Sequence, residues 1–588
     1  MNCSQVLHKR SMEKKTKKIN FSRNRIAELV DKYSATGKYL LALRLAYSDA
    51  KRYGFDEEVY LRLSDIYENM GLHGSAINIL YRFLDIAKVD EDICDAYEGL
   101  AVNYMNMGKE AQAAYYYNNL IALDENLPQE TKFEIANAFA KDKRDNFRFV
   151  WPPEAADCSR ELDAASRALK SGDCEMTLRF LSAIEKGNKD YAAAQEMKAV
   201  AYLLSEKKDK AEEICLQRLQ DDPDDIRVLA TLAAVYLEQG KTEESRALAM
   251  RLYEMQQENT EDLYKVATVC CENGLHQQAY DKFCQFEEKL SYDGRVLYFK
   301  AVAAYHSGKY REAERAFDTL CTVYPDAEVA AYYLKKLRLN ADENGNIQPL
   351  DEAFAPNYFY HLPQEERETR AKTLLYISKS EREEAALLGL IAERDGLFRW
   401  CFDELDGTDL DLQYLALVAA AHAHMDGFVR EMMLDSEVAE VLKVETLRLL
   451  YERNEHTYIG IVLYHIYHKL EILPIKIGRK RHRKFIQAYA KVSSKFSFIG
   501  PKYGKRLQKA AQDLYEKFTE YQALDRIDSA DDLACAIFLR SGIKEAKDKL
   551  ETTALLFDAK PDKVRALLAI VNGEFFQKQK ENKDEKEI

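Results

Sequence analysis

Three glycines, Gly240, Gly274 and Gly308, stand 34 residues apart, and that interval governs much of the chain. Stepping back by it reaches Glu206 and then Gly172. Seven positions before each of these five lies an alanine: Ala165, Ala199, Ala233, Ala267 and Ala301. Five positions after each lies a small residue: Thr177, Ala211, Ser245, Ala279 and Ala313. An earlier run, Gly37, Gly71 and Gly108, keeps the same frame with Ala42, Ala76 and Ala113 behind it, its last interval stretched to 37. A period of this size means one small unit stacked many times, not a single wrapped core.

Geometry says what the unit is. Thirty-four positions hold two helices of about a dozen residues and two short turns. Composition agrees, because 23 Gly and 11 Pro in 588 residues leave few helix breakers. The turn glycine ends the first helix in a left-handed conformation. Alanines sit where paired helices approach most closely, and Tyr67, Tyr104, Tyr202, Tyr236, Phe283 and Phe317 fill the holes between pairs. The strings YLRLSDIYENMGLHGSAINIL and YFKAVAAYHSGKYREAERAFDTLCTVYP resemble the tetratricopeptide repeat family. The resemblance covers 23–127, as three repeats, and 158–327, as five; Glu206 in a turn and Ala168 at an aromatic position depart from it. It implies a mostly all-α fold: a two-block solenoid, followed here by a helical C-terminal region with a short β-hairpin.

The segments around the blocks follow from composition. Residues 1–22 form a basic tail, with Met1 and Met12 both serviceable starts, and no apolar stretch follows to make a secretory signal. Residues 128–157 read as a capping helix and a linker through Trp151, and 328–362 as an irregular connection. Residues 363–474 are helical with a strand pair at TYIGIVLYHIYHKLEIL, where β-branched and aromatic residues cluster. A basic segment (475–522), three helices (528–573) and a charged tail (574–588) complete the chain.

Members of the resembled family hold extended peptides or helices on the concave face lined by first helices. Some clamp a carboxylate with Lys and Asn at the fifth and ninth repeat positions. Neither residue occupies those positions here, which excludes that clamp. The groove residues expected instead are Met197, Val200, Leu203, Tyr264, Tyr298, Val302 and Tyr305, although packing between repeats would use the same side chains. Asp31, Asp65, Glu58 and Glu68 tilt the first groove acidic.

Charge is strongly segregated. Residues 475–512 carry twelve Lys and Arg and no acid, and residues 1–25 carry a net +7, leaving −33 on the remainder of a chain whose total is −14. Arg479, Lys480, Arg481, Arg483, Lys484, Lys502, Lys505 and Arg506 are the expected contacts to nucleic acid, to an anionic surface or to the acidic body itself. Tyr489, Phe496, Phe498 and Tyr503, interleaved with them, suit base stacking. Ala554, Phe557, Val564 and Leu567 fall at the core phases of a helix-turn-helix, which the segment resembles, with Asp558 where Gly is usual.

Other chemistry finds little footing. His422, His424, His456, His465 and His468 lack the spacing of a metal site, and Asp342, Asn344 and Asn346 begin a calcium loop that no later Glu completes. No phosphate loop, nucleophile elbow or dinucleotide fingerprint occurs. The eleven cysteines, without any Cys-x-x-Cys pair, fit free thiols in a reducing cytoplasm. The expectation is a non-enzymatic scaffold without metal or cofactor, holding a protein or peptide partner. The alternative is a nucleic-acid-associated regulator that uses the 475–512 segment and the C-terminal helices.

Overall fold

Each 34-residue unit folds as two antiparallel helices, in a computed structural model that describes residues 23–124, 127–139, 158–184, 188, 190–257, 259–403, 409–478, 482–543 and 550–572. The first series is α1 (Arg23–Ala35), α2 (Tyr39–Tyr53), α3 (Glu57–Asn69), α4 (His73–Ile86), α5 (Asp90–Asn106) and α6 (Glu110–Leu123), with α7 (Gln129–Phe139) behind it. The second opens with α8 (Ser159–Lys170), α9 (Cys174–Leu181), α10 (Tyr191–Leu204), α11 (Lys208–Asp221) and α12 (Ile226–Glu238). It continues through α13 (Thr242–Glu254), α14 (Thr260–Glu272), α15 (His276–Lys289), α16 (Gly294–His306) and α17 (Tyr310–Val323).

The turns work as their residues require. Gly240, Gly274 and Gly308 take φ of 77°, 65° and 75°, and Glu206 is held at 60° in the same role. The amide after each turn residue reaches back to the carbonyl five residues earlier, as Lys241 N–H does to Tyr236 O at 2.8 Å. The alanines of the close approach are buried throughout. Where a hydroxyl residue replaces alanine it is satisfied across the pair: Ser245 Oγ donates to Ala233 O at 2.8 Å.

One boundary shifts. The expected irregular connection from 328 begins twelve residues late, because Glu328–Leu339 form a further first helix, α18, whose Val329, Tyr333 and Leu337 are buried. Its own turn glycine is missing, so the period breaks at the helix's end and not at its start. Beyond it come α19 (Gln364–Lys379), α20 (Arg382–Arg394), α21 (Leu397–Asp403), α22 (Leu410–His422), α23 (Asp426–Leu434) and α24 (Glu440–Glu452). Then follow the strands β1 (Thr457–Leu463) and β2 (Ile466–Ile472). The last helices are α25 (Arg483–Phe496), α26 (Pro501–Glu520), α27 (Ala530–Arg540), α28 (Leu550–Leu556) and α29 (Pro561–Val571). β1 and β2 pair as one two-stranded sheet joined by Tyr464 and His465, both at positive φ as a two-residue hairpin demands.

The chain divides into two units. The first comprises residues up to Lys132 with Met433–Glu437 and Ile459–Lys469; the second holds Phe133–Met432, Val438–Tyr458 and Leu470 onward. Within α27–α29, Ala554, Phe557, Val564 and Leu567 are buried, and Asp558 takes the left-handed turn with φ 57°. No helix among the described residues is long and apolar enough to cross a membrane.

Candidate functional site

The first helices of the second block present their inner face to an irregular segment of the chain itself. Residues 350–362, read from sequence as irregular, run over α16 and α18, and side chains of the solenoid hold their backbone. Tyr298 Oη donates to Asn357 O at 2.9 Å and lies 3.2 Å from Phe359 O. Tyr333 Oη donates to His361 O at 3.1 Å. His306 Nε2 sits 2.8 Å from Pro356 O. Tyr305 Oη accepts the Leu350 N–H at 2.8 Å. Main-chain groups that would otherwise be buried unpaired are thereby satisfied without any strand partner.

The segment is irregular, with a single 3-10 turn at Glu352–Phe354 and a tight turn in which His361 N–H reaches back to Phe359 O at 2.8 Å. Phe359 points outward and is 64% exposed, while its neighbour Tyr360 is 4% exposed. Tyr358 stacks on His276, its hydroxyl 2.9 Å from His276 Nδ1, and His276 stacks in turn on His306 at 4.8 Å. Burial, then the neighbouring His306, lowers the His276 pKa. Tyr360 meets Tyr298 edge-on at 4.6 Å. Its hydroxyl reaches the Asp403 carboxyl at 3.0 Å, whose other oxygen accepts the Val329 N–H at 2.7 Å, at the start of α18. Burial pushes the Asp403 carboxyl up to about 8.

The expected groove residues thus separate into two sets. Tyr298, Val302 and Tyr305 are buried, and both tyrosines hold the 350–362 segment, so they offer no free surface to an incoming peptide. Tyr264 is half-buried and packs edge-on against Phe283 and Phe286, as repeat core does. Met197, Val200 and Leu203, all on α10, are half-buried. Beside them Glu196 is bridged by Lys265 of α14, and Arg227 of α12 pairs with Glu261 at 2.7 Å and Asp262 at 3.3 Å. This half of the inner face is therefore polar and internally paired, with an apolar strip on α10.

In the first unit, three tyrosines that the repeat pattern did not single out as a group converge. Tyr81 and Tyr104 hydroxyls lie 2.6 Å apart, and Tyr81 and Tyr116 hydroxyls stand 2.8 and 2.9 Å from His465 O at the tip of the hairpin. Tyr467 N–H meets Tyr116 Oη at 3.3 Å, and Tyr467 Oη donates to Asp85 Oδ1 at 2.9 Å. Burial pushes the Tyr104 phenol up to about 12. The acidic tilt expected of this block is partly answered from within: Arg62 pairs with Asp31 and Glu58, and Asn103 Nδ2 donates to Glu68.

The basic segment also separates. Arg479, Lys480 and Arg481 lie outside the described residues. Arg483 and Lys484 are exposed at the start of α25, with Lys484 Nζ donating to Ile527 O at 2.9 Å. Lys502, Lys505 and Arg506 are exposed on α26. Two of the four stacking aromatics are corrected by the fold: Tyr489 is buried with its hydroxyl on Leu473 O, and Phe496 packs on Phe538 and Phe557. These two serve the core of the segment, since helical spacing turns them away from the charges, while Phe498 and Tyr503 are half-buried.

The remaining candidates have ordinary partners. Asp342 Oδ1 accepts the N–H groups of Asn344 and Asn346, which makes that string a tight turn. His422 bonds Ser380 O and His456 bonds Glu471. Burial pushes the Cys215, Cys270, Cys321 and Cys535 thiols up to about 12, far from thiolate formation at neutral pH. In the C-terminal helices Lys563 is paired with Asp528, and Arg565 with Glu551 and Asp562.

Comparison with known proteins places one unit directly. Residues 57–90 match the tetratricopeptide repeat family model. Among solved structures the chain is similar to MamA AMB-1, at 19% identity over 28% of this chain and 89% of that one, TM-score 0.21. It is similar also to yeast Tom70, at 13% identity over 95% and 96%, TM-score 0.18. No curated protein sequence matches the chain.

Proposed function

We propose that this tetratricopeptide-repeat protein is a non-enzymatic scaffold whose second block binds a peptide segment of a partner protein along its first helices. The observation that carries the reading is the irregular segment 350–362, seated on the first helices. Its carbonyls are held by Tyr298, Tyr333 and His306, while its side chains Tyr358 and Tyr360 fill aromatic seats. Main-chain capture of this kind gives affinity, and side-chain pockets give specificity. The covered half belongs to this internal segment. A partner then occupies the half lined by α10, α12 and α14, with Met197, Val200 and Leu203 as its apolar anchors and Tyr264 behind them. The scattered cysteines, without any Cys-x-x-Cys pair, support a reducing, cytoplasmic setting for this scaffold.

Photo-crosslinking inside cells tests the assignment. A photoreactive residue at Val200 or Leu203 is expected to trap the same partner from both positions. The same residue at Arg246, exposed on the second helix α13, is expected to trap none. Adducts of equal yield at all three positions, or adducts at Arg246 alone, would contradict the groove reading.

A further inference from the structure

We propose that the N-terminal half of α26 is a docking surface for the phosphate backbone of a nucleic-acid duplex. Lys502, Lys505, Arg506 and Lys509 recur at the spacing that puts side chains on one helix face, and all four are exposed. None of them is ion-paired among the described residues, which sets this face apart. Several cations elsewhere on the protein are answered: Arg227 by Glu261 and Asp262, Arg338 by Glu314 and Asp318, Arg448 by Glu445 and Glu452. The first turn of α26 contains no acid, and the next acid in sequence is Asp513. Stacked cations at the positive end of a helix dipole repel each other and the helix, so the arrangement opposes stability. An external polyanion reverses the sign of every one of those terms.

A fifth cation is brought alongside. Gln512 accepts the Lys476 N–H at 2.8 Å and donates to Lys476 O at 3.3 Å, fixing exposed Lys476 against the same helix. Glu471, the carboxylate whose field is felt from Lys505, is already engaged by His456 at 3.1 Å and Tyr458 at 3.2 Å.

Density chooses the polyanion. From Lys502 to Lys509 the helix rises about 10 Å. A duplex offers one negative charge per about 1.7 Å of axis, hence about six over that length. An extended acidic peptide, advancing about 3.3 Å per residue, offers about three. A bilayer is disfavoured because the apolar face of α26, with Leu507, Ala511, Leu514 and Phe518, is buried within the protein and has nothing to insert. A single strand, with half the duplex's charge along the same length, is disfavoured further because Tyr489 is buried and Phe496 packs against Phe538 and Phe557. What remains is contact with phosphates alone, indifferent to base sequence.

The test uses the full chain, a fluorescein-labelled DNA duplex of arbitrary sequence, polyglutamate, and vesicles rich in anionic lipid. The wild-type protein is expected to bind the duplex at low salt, equally for a scrambled sequence, and to bind the other two at least tenfold more weakly. The variant K502Q/K505Q/R506Q/K509Q is expected to lose at least tenfold in duplex affinity. The slope of log affinity against log salt is expected to fall by about three to four in magnitude, near 0.9 per lost phosphate contact. K502R/K505R/K509R, which keeps the charges, is expected to bind as wild type and guards against a folding defect, as do circular dichroism spectra of each variant. An unchanged salt slope in the glutamine variant overturns the proposal. So does tighter binding of polyglutamate or vesicles than of the duplex, or no duplex binding by wild type at low salt.

Discussion

Replacing Tyr360 by alanine is expected to cost about 3–5 kcal/mol, the loss usual for a buried aromatic side chain. The ring is almost completely enclosed, meets Tyr298 edge-on, and supplies the hydroxyl that faces Asp403. Tyr360→Phe keeps the packing and leaves one buried carboxyl oxygen without that partner, at about 1–3 kcal/mol. Because a solenoid is stabilised between neighbours, the damage should be local. Hydrogen exchange is the measurement of choice, since a long repeat array need not unfold in one step. Amides of α16, α18 and residues 350–362 should lose protection in the alanine variant, while those of α3–α6 keep theirs. Uniform loss through the chain, or none in α16 and α18, would show that the segment is not seated as described.

Asp403→Asn is expected to change how stability depends on pH. The native carboxyl is pushed up to about 8 by burial, against an unfolded value of about 3.9. Below about pH 4 both states hold the proton and the shift has no consequence. Between about 4 and 8 the native state keeps a proton that the unfolded state has released, so stability falls as pH rises through that window. Above the native pKa both states are ionised and the loss is complete. The steepest fall is about 1.4 kcal/mol per pH unit. Asparagine keeps an oxygen for the Val329 N–H and a polar partner for Tyr360, but cannot titrate. The melting temperature of the variant relative to wild type should therefore climb steadily from pH 5 to pH 8. A constant difference across that range would mean that Asp403 is ionised in the native state.

The repeats were legible because their physics is local. A left-handed turn needs Gly, a close approach needs Ala, and both recur at one spacing that a sequence displays directly. Glu206 was legible as well, since its neighbours kept the frame. At α18 the frame ran out one turn too soon to be read, although Val329, Tyr333 and Leu337 carry the same inward spacing. The segment 350–362 reads as irregular and is irregular, but its seat on α16 and α18 is not written in the sequence. Its hydrogen bonds go to side chains of residues some thirty to sixty positions away, and no periodicity records such partners. The tyrosines Tyr81 and Tyr116 were hidden more deeply. They lie on second helices, and the carbonyl they meet belongs to His465, about 350 residues further on. The basic stripe of α26 was visible as charge, but its interleaved aromatics misled. Helical spacing sends Lys502, Lys505 and Arg506 to solvent while Tyr489 and Phe496 turn inward.

The central claim is that the inner face of the second block recognises a peptide segment through its backbone and through Tyr358 and Tyr360. Supplying that segment from outside tests it. The probe is a labelled peptide of residues 349–363, PLDEAFAPNYFYHLP, titrated against the full chain carrying Tyr358→Ala and Tyr360→Ala. The peptide is expected to bind this variant, to restore exchange protection to α16 and α18, and to be excluded from wild type by the segment already present. A control peptide with both tyrosines replaced is expected to bind neither. Failure of the native peptide to bind the variant or to restore that protection, or equal binding by wild type and variant, would contradict the account.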